Sequence, residues 1–226
     1  MLPAIHIAVT AWRRPRFTER VVASLAEHND LSEFSCWYGL DGRCKVENEK
    51  ILDGAGFTRL VRNRKRKGTA DLTARLLARV AAHANKDDYV LLLQNDWECC
   101  RPIPVAAIHA LMEWPNVGCF RLYGEYKERE NGELQHRCNP RHAGLPGRPT
   151  VDWVPHKIGE EALEIGCIHW GHPPAVTKLS LAVALTRGAE SEWRTVRRSG
   201  DMDFLTARVV ENVFWHIGYK RRYKGR

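Results

Sequence analysis

Apolar positions recur along the first half of this chain in two rhythms. Ile5 to Thr10 reads as a strand, and Arg13-Arg14-Pro15 breaks it. From Phe17 to His28, the residues Phe17, Val21, Val22 and Leu25 return at helical spacing. Phe34 to Leu40 reads as a second strand, ended by a turn at Asp41-Gly42. Thr58 to Val61 is a short third strand. Asp71 is placed to cap a helix running to about Asn85, with Leu72, Leu76, Val80 and Ala84 on one face. Tyr89 to Leu93 is the fourth strand. Strands alternating with helical patterns of roughly 10–15 residues predict βαβ units and a parallel sheet.

Further along, Val105 to Trp114 reads as a helix and Val117 to Tyr123 as a strand. From Gly124 to Pro174 glycine, proline, histidine and tryptophan dominate and periodicity is weak. The expectation is a long irregular region closing over a site, with a hairpin around Asn131-Gly132. Val176 to Leu185 fits either strand or helix. Asp201 to Asn212 reads as a helix with Phe204, Leu205 and Val209 inward, and Val213 to Ile217 as a final strand. No internal repeat or low-complexity segment is present.

Composition narrows the class. The 226 residues are 44% hydrophobic and 27% charged, as in ordinary globular proteins. No apolar run approaches the ~18 residues that span a bilayer, and Met1 to Thr10 has no basic leader. A cytoplasmic protein without membrane insertion is the expectation. Seven cysteines, an odd number with no Cys-x-x-Cys, argue for reduced thiols. Cys138, His142, Cys167, His169 and His172 are a candidate zinc set by ligand type, although their spacing matches no known module. The net charge is +8. Arg59, Arg62, Arg64, Lys65, Arg66 and Lys67 form one basic cluster, and Lys220, Arg221, Arg222, Lys224 and Arg226 another. Such clusters are candidate phosphate or nucleic-acid patches, or simply solvated surface.

The stretch VLLLQNDWE, Val90 to Glu98, is where chemistry enters. Four branched apolar residues end abruptly in an amide pair, an acid, a tryptophan and a second acid. Parallel strands put their C-terminal ends on one edge, where open α/β sheets bind ligands. Asp41 and Asp96 then share that edge with the basic, glycine-ended loop Asn63 to Gly68. Two carboxylates beside such a loop suit a nucleoside diphosphate whose charge is neutralised by a divalent cation on Asp96.

At these residues the sequence resembles the GT-A glycosyltransferases, close in style to the family-2 group. Thr10 to Pro15, with Phe17 and Ser24-Leu25, resembles the family's first strand, Arg-Pro turn and helix. Tyr38 to Gly42 resembles the second strand, whose terminal aspartate contacts the nucleoside. Asn63 through Gly68, then Ala70 to Arg75, resembles the entry to the donor-side helix. Leu93 to Trp97 sits where the family carries its Asp-x-Asp motif, with Gln94 in place of the first acid. Phe214 to Gly218 resembles a late histidine-glycine element.

The resemblance implies one GT-A, Rossmann-like α/β domain over residues 1–226, with a mostly parallel central sheet flanked by helices. Residues 1–123 would bind the nucleotide sugar, and 124–226 would form an irregular acceptor-binding and catalytic half. It implies a UDP-sugar donor with Mn2+ or Mg2+. Thr10, Arg13, Asp41, Asn63, Gly68 and Asn95 would bind the donor, and Asp96 and His216 the metal, with Glu98 in assistance. An inverting enzyme also needs a base for the acceptor hydroxyl. Glu190 and Glu192 are the candidates, with Asp201 and Asp203 in reserve, although surface acid or helix cap is the plainer role for each. Trp153, His169, Trp170, His172 and Pro173 are candidates for an acceptor wall, with core packing the plainer role.

For the acceptor, charge and aromatic content point to a 5-hydroxymethylated pyrimidine in DNA. A glycan or peptide acceptor is the alternative within enzymes. A non-catalytic nucleic-acid-binding protein and a nucleotidyltransferase are the rivals from other classes. No protein partner is implied.

Overall fold

The computed structural model describes residues 2–42, 45–63, 67–123, 126–128, 134–136, 153–166, 174–188 and 204–217. Strand β1 (Ile5–Trp12) leads into helix α1 (Pro15–His28), and β2 (Ser35–Asp41) into α2 (Lys45–Gly54). Then come β3 (Thr58–Arg62), α3 (Thr69–Val80), β4 (Tyr89–Gln94), β5 (Trp97–Cys99) and α4 (Val105–Met112). β6 (Val117–Arg121), β7 (Tyr126–Glu128), β8 (Leu134–His136), β9 (Val154–Ile158) and β10 (Glu161–Gly166) follow. The described elements close with β11 (Ala175–Lys178), α5 (Leu179–Thr186), β12 (Leu205–Val209) and β13 (Phe214–His216).

Nine strands form one sheet in the order β3-β2-β1-β4-β11-β6-β12-β10-β9. The first four in that order are parallel to one another. β11 runs against both β4 and β6, and β10 runs against both β12 and β9. The sheet is therefore parallel in its N-terminal part and mixed beyond it. β4 shows why its sequence is a continuous apolar run. Leu91 and Leu93 join the core under α1 and α4, while Val90 and Leu92 face α3 and α5. A strand buried on both faces loses the alternation of a half-exposed one.

Gly39 on β2 lets α3 approach closely, since a Cβ there would lie 3.1 Å from Leu72 Cδ1. That approach sets the start of α3 at the sheet edge. The helix begins after Gly68, whose φ of 96° suits glycine. Asp71 falls in the first turn and is not the cap expected of it.

In the second half of the chain one expectation is overturned, and others are met or refined. The helix predicted over Asp201 to Asn212 is instead β12 across Leu205–Val209, paired with β6 and β10. Ala207 and Val209 fill one core while Thr206 and Arg208 are buried on the other side, so neither face is polar in the ordinary way. Val176 to Leu185 is both readings in turn, β11 and then α5. The final strand, β13, leaves the main sheet and pairs with β5. The irregular stretch contains β9 and β10, and β7 pairs with β8 on either side of the expected hairpin at Asn131-Gly132.

Cys36, Cys99, Cys100 and Cys119 are free thiols. Burial pushes Cys36 up to about 12 and Cys99 up to about 11, so both stay protonated. None of the described helices is long and apolar enough to cross a membrane.

Candidate functional site

The parallel strands β1, β2 and β4 deliver their C-terminal ends to one cleft. It is lined by Thr10, Ala11, Trp12, Arg14, Asp41, Gly68, Thr69, Leu72, Gln94, Asn95 and Asp96. The topology explains the convergence, because Thr10 lies opposite both Gly39 and Gln94 in the register.

On one side of the cleft, Asp41 organises the loop before α3. Its carboxylate accepts from Asn63 Nδ2 at 3.1 Å, from the Lys67 backbone N–H at 3.2 Å and from the Gly68 N–H at 3.0 Å. Asn63, itself buried, also accepts from Arg75 and donates to Asp71 at 3.4 Å. Asp41 and Asn63 thus fix the position of the α3 N-terminus, which opens on the cleft. A helix N-terminus is a favourable place for anionic oxygens.

Asn95 secures the opposite side. Its Nδ2 donates to the Arg13 carbonyl at 3.0 Å and to Thr18 Oγ1 at 2.9 Å. Asn48 reaches the same carbonyl at 3.4 Å. These bonds hold a turn in which Arg13 and Arg14 both adopt positive φ, 54° and 53°. For side-chain-bearing residues the left-handed region costs about 1–2 kcal/mol each. Pro15 opens α1 and keeps Arg14 out of the right-handed helical region. The strained turn aims Arg14 into the cleft, whereas the Arg13 guanidinium lies 4.8 Å over the Trp12 ring. Thr10 is buried and donates through Oγ1 to the Leu93 carbonyl at 3.2 Å.

The expected metal pair comes together. β13 pairs with β5 so that His216 lies opposite Trp97, next to Asp96. His216 Nε2 stands 3.4 Å from Asp96 Oδ2, and the Ile217 N–H donates to the Asp96 carbonyl at 2.9 Å. Arg14 Nη1 approaches the same Oδ2 at 3.6 Å. Asp96 Oδ1 is shielded from solvent and has no hydrogen-bond partner among the described residues. The Trp97 ring packs against His216 at 4.8 Å and Tyr123 at 4.7 Å, which sets the orientation of the imidazole.

Glu98 does not join this pair. It receives Arg20 of α1 through two hydrogen bonds, of 3.1 and 2.5 Å. Among the described residues no group of three His, Cys, Asp or Glu side chains is gathered. Trp153 lies under the guanidinium of Arg208, 4.0 Å away, and Arg208 is 1% exposed and donates to Glu164 at 2.7 Å. Glu190, Glu192, Asp201 and Asp203 lie outside the described residues, as do Cys138, His142, Cys167, His169, Trp170, His172 and Pro173. The first basic cluster is placed only in part. Arg59 and Arg62 both pair with Glu49 of α2, and Arg64 to Arg66 and the 220–226 cluster lie outside the described residues. Arg14, Trp12, Thr69 and Leu72 line the cleft without having been named as donor contacts. The signal for Arg14 was present in Arg13-Arg14-Pro15, where a proline at a helix start restricts the residue before it.

No protein-family model and no curated protein matches the chain significantly. Solved structures do. TarS from S. aureus, residues 1–349 in complex with UDP, superposes with a TM-score of 0.55 at 12% identity, over 93% of this chain and 59% of that one. The longer TarS structure gives 0.55 at 12% identity, over 93% of this chain and 36% of that one. The mannosyltransferase PcManGT from Pyrobaculum calidifontis, in complex with GDP-Man and Mn2+, gives only 0.42 at 13% identity, over 55% of this chain and 36% of that one. The chain thus spans between 36% and 59% of the length of these proteins. The fold is GT-A-like, a mixed α/β sheet flanked by helices.

Proposed function

We propose that the chain is a metal-dependent glycosyltransferase of the family-2 style, moving a sugar from a UDP-sugar to a hydroxyl acceptor. The observation that carries this reading is the partly buried Asp96, with one oxygen unpartnered and His216 beside it, at the edge where α3 begins. A carboxylate oxygen and an imidazole suit Mn2+, and Mg2+ less well. Asp96 and His216 would hold the ion, and diphosphate oxygens and water would complete its shell. The bound ion would stabilise charge developing on the leaving diphosphate. The UDP carried by TarS supports the choice of nucleotide.

The chain's own residues divide the remaining work. Thr10, Asp41 and the Trp12 ring border the nucleoside end. Gly68 and Thr69 present the positive end of α3 to phosphate. Asn95 and Asn63 act through the backbone they hold. Glu190 or Glu192 would take the proton of the acceptor hydroxyl as it attacks the anomeric carbon, with inversion. For the acceptor, the net charge of +8 favours a polyanion. A 5-hydroxymethylated pyrimidine in DNA is the substrate to assay first, against sugar and peptide acceptors. Its binding should fall steeply with salt.

The test is thermal unfolding with UDP and UDP-glucose, with and without Mn2+, on the natural protein and on Asp96→Asn. A ligand at a hundred times its dissociation constant stabilises by about 2.7 kcal/mol. The expected result is a metal-dependent shift that disappears in the variant. A shift of equal size in Asp96→Asn, or none with any nucleotide donor, overturns the reading.

A further inference from the structure

Arg14 is the one cationic side chain among the described residues that both lines the cleft and reaches Asp96. Its side chain is 43% exposed, and the guanidinium stands 3.6 Å from Asp96 Oδ2 and 5.3 Å over the Phe17 ring. The contact is loose for a charge-assisted hydrogen bond, which is commonly about 2.7–2.9 Å. The backbone that aims it is nevertheless held at φ 53° by Pro15 and by the two amides on the Arg13 carbonyl. A costly conformation thus maintains a weak, exposed contact at the proposed metal position.

We propose that Arg14 stands in for the metal on Asp96 while the cleft is empty, and turns to the donor's diphosphate once the ion takes Asp96. The proposal rests on the metal reading above. A guanidinium beside Oδ2 repels an ion arriving at the open Oδ1, so Arg14 opposes metal binding on its own. With nucleotide present the displaced guanidinium gains two anionic phosphates, so Arg14 then favours binding. The side chain therefore couples metal and donor, and the empty cleft resists taking up the ion alone.

The experiment is Mn2+ titration by electron paramagnetic resonance without nucleotide, and UDP titration by calorimetry at saturating Mn2+. The proteins are the natural chain, Arg14→Ala, Arg14→Gly and Asp96→Asn. Arg14→Gly keeps the positive φ without strain, so it guards against a folding defect in Arg14→Ala. Both Arg14 variants should bind Mn2+ alone about two- to fivefold more tightly, the size of an exposed ion pair. Both should bind UDP about tenfold more weakly. Mn2+ affinity unchanged or lower in both variants overturns the proposal, and so does unchanged UDP affinity. If Asp96→Asn still loses Mn2+ in that case, the metal reading stands and only the Arg14 proposal falls. If no protein binds Mn2+, or Asp96→Asn binds it normally, both fall.

Discussion

Strand β4 has an acid just outside each end, and the molecule treats the two in opposite ways. Asp88, before the strand, is buried and fully engaged. Oδ1 accepts from the Ala4 N–H at 2.9 Å, and Oδ2 accepts from the Asn85 N–H at 2.9 Å and from His6 Nε2 at 3.0 Å. Trp37 Nε1 donates to His6 Nδ1 at 3.1 Å, which leaves the imidazole proton on Nε2, facing the acid. Asp96, after the strand, also stands beside a histidine, but at 3.4 Å and with Oδ1 unpartnered among the described residues. Buried polar groups in folded proteins are almost always satisfied. The satisfied acid belongs to the scaffold, and the unsatisfied one is where the proposed ion would sit.

The contrast predicts unequal costs. Asp88→Ala strips one carboxylate from three donors, and should cost about 3 kcal/mol by chemical denaturation at neutral pH. Burial pushes the Asp88 carboxyl up, but the bonds from His6, Ala4 and Asn85 outweigh it and leave it below the usual carboxylate value. Its contribution is therefore present above the unfolded value and lost as pH falls through the lower folded one. The gap between natural protein and Asp88→Ala should close in acid. Trp37→Phe removes the donor to His6 Nδ1, and should cost about 1 kcal/mol in the same measurement. Asp96→Asn should change ligand-free stability by only about 0.5 kcal/mol or less, because little in the empty protein depends on that carboxylate. A cost for Asp96→Asn as large as that for Asp88→Ala would erase the distinction between the two ends.

Much of this was legible in the chain. The four N-terminal strands and α1, α3 and α4 follow directly from apolar spacing, because each buries a recognisable face or is apolar throughout. α2 escaped because only Asn48 and Leu52 of its ten residues are buried, leaving no apolar stripe to see. β12 is hidden in the sequence because the spacing of Phe204, Leu205 and Val209 also fits a helix. Its strand character comes from partners on both sides, β6 and β10, which local sequence does not reveal. At the site, the resemblance pairs Asp96 with His216, and β5 and β13 bring the two side chains within 3.4 Å. Of the two adjacent arginines Arg14 lines the cleft, and residue spacing does not reveal the left-handed turn that both share. The partner of Glu98, Arg20, lies on a helix 78 positions away, which spacing along the chain does not reveal.

The strained pair at Arg13 and Arg14 has a consequence for anyone who engineers this protein. Relaxing either residue to glycine would gain heat resistance of at most about 1 kcal/mol, because glycine's freedom in the unfolded chain offsets part of the relief. A screen that rewards survival at high temperature would nonetheless accept both changes, and would blunt the cleft at Arg14 while doing so. Improvement of this protein by heat selection alone therefore runs against the role proposed for Arg14 at that turn.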